Sequence, residues 1–157
     1  MPTKSVTFAE IQAEFTARVN KMVWCNVATV NEQGRPRSRI LHPIWDGATG
    51  WITTRPTSYK AKNLAVNPYV SLAYVSDIAK PVYVDCNTEW IDDPKIKQRV
   101  WDLLTNTPVP MGFDPEPIYK SVTDPSFGVL KLIPWRLEVY NFPAENLVWH
   151  AEETIPT

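Results

Sequence analysis

Apolar residues near the start of the chain recur at steps of three and four positions. Such spacing places them on one face of an α-helix, and the residues concerned are Phe8, Ile11, Phe15, Val19 and Met22. Thr7 and Glu10 have the spacing of a capping box, in which each side chain satisfies a backbone N–H of the first turn. The pattern therefore predicts an amphipathic first helix whose apolar face points toward a core.

Three segments with the composition or alternation of β-strands follow this helix: Trp24 to Val30, Arg37 to Trp45 and Trp51 to Thr54. Gly34 lies in the first connecting turn, where it is free to adopt a positive φ. Segments joined by turns this short pair as antiparallel neighbours. The sequence therefore predicts that these three strands lie side by side in one sheet.

Helices and strands are less regularly ordered in the rest of the chain. Ser58 is placed to cap a short helix that stops at Asn67–Pro68, and Asp93–Pro94 begins another that ends near Thr105. Pro134 interrupts the longest remaining strand and should lie at a bulge, an edge or a bend. The predicted strands here are Tyr69 to Val75, Val82 to Trp90, Phe127 to Tyr140 and a short one from Leu147 to His150.

Hairpin-connected strands with two or three helices predict a mainly β, α+β fold, an antiparallel β-barrel of about six strands with peripheral helices. A doubly wound parallel sheet would need helices between the first three strands, and the sequence has none there. The segment from Thr107 to Pro125 holds five of the 15 prolines and Gly112, so we expect an irregular loop. Two interpretations of this loop stay open: it covers a pocket, or it packs on the barrel.

Length and composition narrow the class of protein. A chain of 157 residues is typical of one domain, residues 1–157. The net charge of −1 argues against a nucleic-acid partner, and no apolar run is long enough to span a bilayer. Two cysteines are too few for a disulfide scaffold, and the first residues lack the apolar stretch of a secretory signal. We therefore expect a cytoplasmic protein that binds neither nucleic acid nor membrane.

Common catalytic and cofactor motifs are missing from the sequence, which contains no GxGxxG, Walker A or GxSxG pattern. Its cysteines and histidines lie far apart, so no metal is expected, and Cys25 and Cys86 are interpreted as small buried apolar residues. Asp92 and Asp93 precede a helix and are interpreted as caps rather than as an acid–base pair. No catalytic residue is assigned.

Positive charge is concentrated in about one fifth of the chain. Between Gln33 and Lys62, six of the 16 basic residues are opposed only by Asp46: Arg35, Arg37, Arg39, Arg55, Lys60 and Lys62. The helix that begins at Ser58 adds free backbone N–H groups and the positive end of a dipole, a combination that binds phosphate. A solvated basic hairpin is the alternative interpretation.

Several of these segments, taken in order, resemble the pyridoxamine-5′-phosphate-oxidase-like family of FMN-binding split β-barrels. The matching segments are CNVATVN, the basic strand RPRSRIL, the strand WITT and the string TSYKAKNLAVNPYVSLAY. PVYVDCNTEWIDDP and LIPWRLEVY are similar to the branch that includes general-stress-protein-like flavoproteins. The resemblance implies a six-stranded antiparallel split β-barrel with peripheral helices.

The resemblance also implies a cofactor, FMN, bound in a groove at a homodimer interface. Arg39, Ser58 and Lys60 would hold its phosphate, with Tyr59 standing where many members have arginine. The isoalloxazine ring would lie along Ile40 and Leu41 of the second strand and Ile52 and Thr53 of the third. Independently of the resemblance, a flat ring favours an aromatic wall, which Trp45, Trp51 or Trp135 would supply.

Departures from the family pattern limit the expected reaction. The oxidases carry a substrate-binding lysine where this chain has Ile44, so we do not expect pyridoxamine phosphate as the substrate. The expected activity is that of an oxidoreductase, between a nicotinamide donor or small organic substrate and the flavin. Two alternatives remain. One is an F420-dependent reductase whose acidic cofactor tail meets Arg35, Arg37 and Arg55; the other is a non-enzymatic flavin-binding stress or sensor module.

Overall fold

The computed structural model describes residues 2–152, which form nine strands and four helices. The strands are β1 (Thr3–Ser5), β2 (Cys25–Val30), β3 (Pro36–Leu41), β4 (Ile44–Asp46), β5 (Thr49–Thr54), β6 (Tyr69–Tyr74), β7 (Val82–Ile91), β8 (Gly128–Val139) and β9 (Asn146–His150). The helices are α1 (Phe8–Met22), α2 (Tyr59–Val66), α3 (Pro94–Asn106) and α4 (Glu116–Tyr119). None of the described helices is long and apolar enough to cross a membrane.

All nine strands belong to one sheet that curves around a core. Strands β3, β2, β6, β7 and β8 follow one another as antiparallel neighbours, and the long β8 also pairs with β5 and β9. The short β4 pairs with β5, and β1 lies parallel to β9. This arrangement confirms the predicted fold class, a mainly β split barrel with peripheral helices.

The nine strands exceed the predicted barrel of about six, and two of them were not predicted as separate segments. Strand β1 consists of three exposed residues, which carry no alternation that sequence analysis detects. The predicted strand from Arg37 to Trp45 is wrong as a single element, because the chain leaves the sheet at His42 and Pro43 and forms β3 and β4. Proline has no N–H to donate to a ladder, so it breaks the pairing at that point.

The core is formed where α1 closes one side of the barrel. Ile11, Phe15 and Val19 of this helix are fully buried against strands whose inward side chains are also buried. Thr7 and Glu10 make the predicted capping box, with both reciprocal hydrogen bonds present. The apolar periodicity of the first segment therefore identified the buried face of α1 correctly.

Pro134 lies at a β-bulge, as one of the predicted alternatives required. Opposite β8, the register of β7 shifts between Asp85, which pairs with Arg136, and Cys86, which pairs with Pro134. Trp135 is therefore the extra residue of the bulge, and its side chain is 42% exposed. Bulges re-aim side chains, and this one directs a large indole to the surface.

The proline-rich segment between α3 and β8 is ordered and folds against the barrel. It contains α4, and its Met111 and Tyr119 are buried in a second apolar cluster with Phe127 and Val129. Gly112 is tightly enclosed, because a Cβ atom there would lie 1.8 Å from the carbonyl oxygen of Thr107. The loop thus has one well-defined course next to β5.

Candidate functional site

Arg39 occupies the interior face of β3, where it pairs across the sheet with the buried Val27. Its Nη1 donates to the Thr29 hydroxyl oxygen at 2.8 Å, and the Asn63 side-chain amide donates to the same oxygen at 3.0 Å. The second terminal nitrogen, Nη2, is buried and has no hydrogen-bond partner among the described residues. A buried guanidinium N–H without an acceptor is costly and favours the binding of an anion.

The start of α2 meets Arg39 from the neighbouring element. Ser58 caps the helix as predicted, and its hydroxyl oxygen accepts from the Ala61 backbone N–H at 3.3 Å. The earlier N–H groups of the helix, those of Tyr59 and Lys60, have no intrahelical acceptor. The hydroxyl proton of Ser58 and these N–H groups are therefore available to a phosphate.

Lys60 and Arg39 are close enough to influence each other. Burial first, and the positive charge of Arg39 second, lower the pKa of Lys60. Burial first, and the charge of Arg37 second, lower the pKa of Arg39. The structure therefore brings together the arginine, lysine and helix start that were assigned to the phosphate, in a partly buried cluster of positive charge.

An apolar cavity of about 650 Å³ lies beside the end of β3. Four residues assigned to the flavin ring line it, namely Ile40, Leu41, Ile52 and Thr53. The remaining lining residues come from the end of α1, the β3–β4 connection and the proline-rich loop: Trp24, His42, Val109, Pro110, Gly112, Phe113, Asp114, Pro117, Ile118 and Tyr119. A cavity with apolar walls and a few polar groups is typical of a small-molecule site.

The proline-rich loop forms one wall of this cavity. Tyr119 is buried, its ring packs edge-on against Phe127 at 5.2 Å, and its hydroxyl donates to the Thr53 hydroxyl oxygen at 3.3 Å. The loop satisfies both interpretations left open by the sequence, because it packs on the barrel and also lines the cavity. Sequence analysis did not single out Tyr119, because nothing in its local pattern shows that α4 returns to β5.

His42 is a second residue of the cavity that sequence analysis did not assign to the site. Its imidazole lies between Trp24, at 5.1 Å between ring centroids, and Phe113, at 5.3 Å. Burial lowers its pKa, while a hydrogen bond with the Met111 backbone acts in the opposite direction. The neutral imidazole is therefore favoured, and its Nε2 atom is buried without a hydrogen-bond partner among the described residues.

Two assigned residues lie away from this cavity. The ring of Tyr59 is 72% exposed and borders a separate depression of about 410 Å³, with the Lys62 ammonium 5.3 Å and the Arg37 guanidinium carbon 5.9 Å from its centroid. Trp135 lies on β8, with β2, β6 and β7 between it and β3. Neither side chain lines the apolar cavity.

The tryptophans offered as an aromatic wall have other positions. Trp45 packs against Phe15, and its indole N–H donates to the Tyr74 hydroxyl oxygen at 3.0 Å. Trp51 is buried in the second apolar cluster. The tryptophan of the cavity is Trp24, which directly precedes β2 and is 59% exposed at the rim.

The cysteines are free and buried, as interpreted from the sequence. Burial raises the pKa of Cys25 to about 12 and that of Cys86 well above its usual value. Asp93 caps α3, with its carboxylate accepting from the Lys95 N–H at 2.8 Å. Within residues 2–152, no group of three or more histidine, cysteine or acidic side chains is arranged to hold a metal ion.

Comparison with known proteins adds a family to this geometry. The family model described as pyridoxamine 5′-phosphate oxidase matches residues 11–139. A curated pyridoxine/pyridoxamine 5′-phosphate oxidase of Actinobacillus succinogenes is 33% identical over 81 residues, which cover 50% of this chain. That match spans only 39% of the relative's length.

Solved structures share the fold at low sequence identity. A Clostridium acetobutylicum protein related to general stress protein 26 has a TM-score of 0.71 and 21% identity over 92% of this chain and 96% of its own. A pyridoxamine 5′-phosphate oxidase-related, FMN-binding protein of Nostoc punctiforme has a TM-score of 0.70 and 16% identity over 93% of each chain. With a family model that covers most of the sequence and the split barrel in common, the chain belongs to the pyridoxamine 5′-phosphate oxidase family.

Proposed function

We propose that this protein binds FMN and acts as a flavin-dependent oxidoreductase on a substrate other than pyridoxamine phosphate. The observation that carries the proposal is the buried, unpaired Nη2 of Arg39 beside Lys60 and the start of α2. A phosphate dianion suits this cluster, because charge-assisted hydrogen bonds to arginine and to a helix N-terminus are strong.

The neighbouring cavity fits the remainder of FMN. Ile40 and Leu41 follow Arg39 directly on β3, so the cavity wall begins within about 7 Å of the phosphate cluster along the strand. Its apolar lining suits a flat aromatic ring, and Thr53 supplies a hydroxyl group at the wall. Phosphate group and ring would thus be held by adjacent parts of one site.

The cofactor would supply the hydride or electron transfer, while the chain binds and orients the reactants. The loop wall with Phe113 and Tyr119 would keep water from the ring. Ile44 is 1% exposed and lies in the core, so the position of the oxidases' substrate lysine offers no charge to a phosphorylated substrate. A nicotinamide donor or a small uncharged organic molecule fits the apolar cavity better.

A second copy of the chain is the proposed partner. Trp24 and Ile40 at the rim of the cavity are 59% and 62% exposed, and Ile133 and Trp135 on β8 are 39% and 42% exposed. Apolar surfaces of this kind favour symmetric association, and two-fold dimers are the commonest form. In such a dimer, the Trp135 indole of one protomer would reach the cavity of the other.

The visible absorption spectrum of the purified protein tests the proposal. We expect a flavin spectrum, or its appearance on addition of FMN, and release of FMN on denaturation. The R39A/K60A variant should bind FMN at least about 100-fold more weakly, since two charge-assisted contacts are lost. R35A, in the exposed hairpin turn, is the matched control and should bind normally. A colourless protein that takes up no FMN would contradict the proposal.

The chromophore and its reduction separate the alternatives. Mass analysis of the released chromophore distinguishes FMN from F420. Reduction of the bound flavin by NADH or NADPH, followed by reoxidation in air, distinguishes an oxidoreductase from a non-enzymatic binding module. Failure with both donors and with small organic reductants would favour the binding module.

A further inference from the structure

The hydrogen bond between Tyr119 and Thr53 joins the loop wall of the cavity to β5. Both side chains line the cavity, and the Tyr119 hydroxyl donates to the Thr53 hydroxyl oxygen at 3.3 Å. A threonine hydroxyl has one proton to donate and accepts with its lone pairs. Because its oxygen already accepts from Tyr119, the Thr53 proton is directed to a different acceptor.

Tyr119 is firmly placed for this role. Its side chain is 6% exposed and packs against Phe127, which is fully buried. Its backbone N–H donates to the Pro115 carbonyl at 2.9 Å, at the end of the single turn of α4. The phenol is therefore fixed by packing on one side and by backbone hydrogen bonding on the other, so the position of its hydroxyl oxygen beside Thr53 is well determined.

Few other polar groups in the cavity compete for the Thr53 proton. The remaining polar side chains of the lining are His42 and Asp114. Asp114 is occupied with the backbone of α4, where its carboxylate accepts from the Glu116 N–H at 3.0 Å. The Nε2 atom of His42 is buried without a hydrogen-bond partner among the described residues, so the Thr53 hydroxyl does not donate to it. A ligand in the cavity is thus the natural acceptor for the Thr53 hydroxyl.

We propose that Tyr119 is a positioning residue that orients the Thr53 hydroxyl, so that it donates to a carbonyl oxygen or ring nitrogen on the edge of a planar ligand. The ligand class is an aromatic ring with a hydrogen-bond acceptor at its edge and an apolar face. The isoalloxazine of FMN is such a ring, so this inference rests on the proposed function for its physiological ligand. Lumiflavin, the same ring without ribityl phosphate, tests the cavity independently of Arg39.

The experiment measures dissociation constants for FMN and lumiflavin by flavin fluorescence in wild type, T53V, T53S, Y119F and the T53V/Y119F double variant. We expect T53V to raise the dissociation constants for both ligands by up to about tenfold, which corresponds to the loss of one hydrogen bond. T53S keeps the hydroxyl group and should bind both ligands like wild type. Y119F should weaken both by a smaller factor. The double variant should bind like T53V, because Tyr119 acts only through Thr53. The absorption maximum of the bound ring should shift in T53V and Y119F and return in T53S.

Two results would overturn the proposal. One is unchanged affinity for both ligands, and an unchanged absorption maximum, in T53V and Y119F. The other is a double variant whose loss equals the product of the two single losses. If Y119F does not fold, an unchanged absorption maximum in T53V still overturns the proposal. A shift in T53V that is absent in T53S supports the hydrogen bond from Thr53 to the ligand, on which the proposal depends. If the protein binds lumiflavin with the expected effects of T53V and Y119F but does not bind FMN, the proposed phosphate site is wrong and the role of Tyr119 stands. If the wild-type protein binds neither ligand, both the proposed function and the role of Tyr119 are wrong.

Discussion

Arg39 and Lys60 show how single residues prepare the site for an anion. Burial and mutual repulsion lower the pKa of Lys60, and Arg39 has a donor nitrogen without a protein acceptor. Both features make the isolated protein less stable than one with neutral residues at these positions. A bound dianion would offset the repulsion between the two cations and accept a hydrogen bond from the free N–H group. Binding would therefore remove both unfavourable contributions to the free energy of the protein.

The lowered pKa of Lys60 predicts a pH dependence of FMN binding. In the free protein this lysine loses its proton below the ordinary value of 10.5. As the pH rises through the lowered value, the ammonium is lost and FMN affinity falls, by up to about tenfold per pH unit. Binding restores the proton, because the phosphate raises the pKa of its partner. FMN titrations between about pH 7 and pH 10 measure the effect.

K60R is the matched control for this titration. Arginine keeps its charge across the whole range, so the affinity of K60R should stay nearly level where that of wild type declines. If FMN affinity declines equally with pH in K60R and in wild type, another group is responsible and the prediction for Lys60 is wrong.

At the scale of elements, helix α2 is short and depends on its cap. Its eight residues are fewer than an isolated helix needs to be stable in water, so its position comes from packing of Ala61 and Leu64 and from Ser58. The proline-rich loop between α3 and β8 is also held by packing, through its buried side chains and the tightly enclosed Gly112. Helix α2 contributes Ser58 and Lys60 to the cluster of positive charge, and the proline-rich loop contributes one wall of the cavity.

Two helix caps allow the structural and binding roles of Ser58 to be separated. S58A and D93A each remove a side-chain cap and should each lower the free energy of unfolding by about 1 kcal/mol, measured by urea denaturation. Only S58A should also weaken FMN binding, because Asp93 caps α3 rather than the helix beside Arg39. Equal FMN affinities in the two variants would exclude Ser58 from the phosphate site.

Gly112 provides a test of the loop wall. G112A places a Cβ atom 1.8 Å from the Thr107 carbonyl oxygen, so the loop must shift. We expect a loss of about 1–3 kcal/mol in stability and weaker lumiflavin binding, measured by thermal unfolding and flavin fluorescence. G34N is the control, since Gly34 has φ of +76°, a Cβ there meets nothing within 4 Å, and asparagine tolerates such angles. A G112A protein that binds lumiflavin like wild type would show that the wall is dispensable.

At the scale of the whole molecule, the sheet has an interior that forms the core and an exterior that carries exposed apolar side chains. The bulge at Pro134 directs Trp135 outward on β8, while Ile40 is exposed on β3 at the cavity rim. The two residues are separated by three strands in one protomer. The proposed dimer would place Trp135 of one copy near Ile40 of the other.

W135E tests the dimer and the completeness of the site together. A buried carboxylate at an apolar interface is unfavourable, so we expect a monomer by light scattering and FMN binding weakened by more than about tenfold. I78E is the control, because Ile78 is 89% exposed in the β6–β7 connection and should tolerate the charge. A wild-type monomer at micromolar concentration, or a W135E dimer with full FMN affinity, would contradict the proposal.

Local chemistry in the sequence determined most of the helices and strands and where the positive charge lies, although β1, the break between β3 and β4, and α4 were not predicted. The capping box at Thr7, the cap at Ser58 and the bulge at Pro134 each follow from the residue types at those positions. The family resemblance assigned four residues of β3 and β5 to the flavin ring, and all four line the cavity: Ile40, Leu41, Ile52 and Thr53. The caps and the apolar faces depend on contacts within a few residues or on the alternation of a strand, whereas the ring residues came from the resemblance alone.

Only the tertiary structure decided which distant side chains share the site. Tyr119 meets Thr53 across 66 positions of sequence, and His42 lies between Trp24 and Phe113, which come from separate parts of the chain. Tyr59 and Trp135 were assigned to the cofactor, but Tyr59 borders a different depression and neither residue lines the cavity. Periodicity shows which face of an element is apolar, but the course of an irregular loop depends on where its buried residues find space in the core.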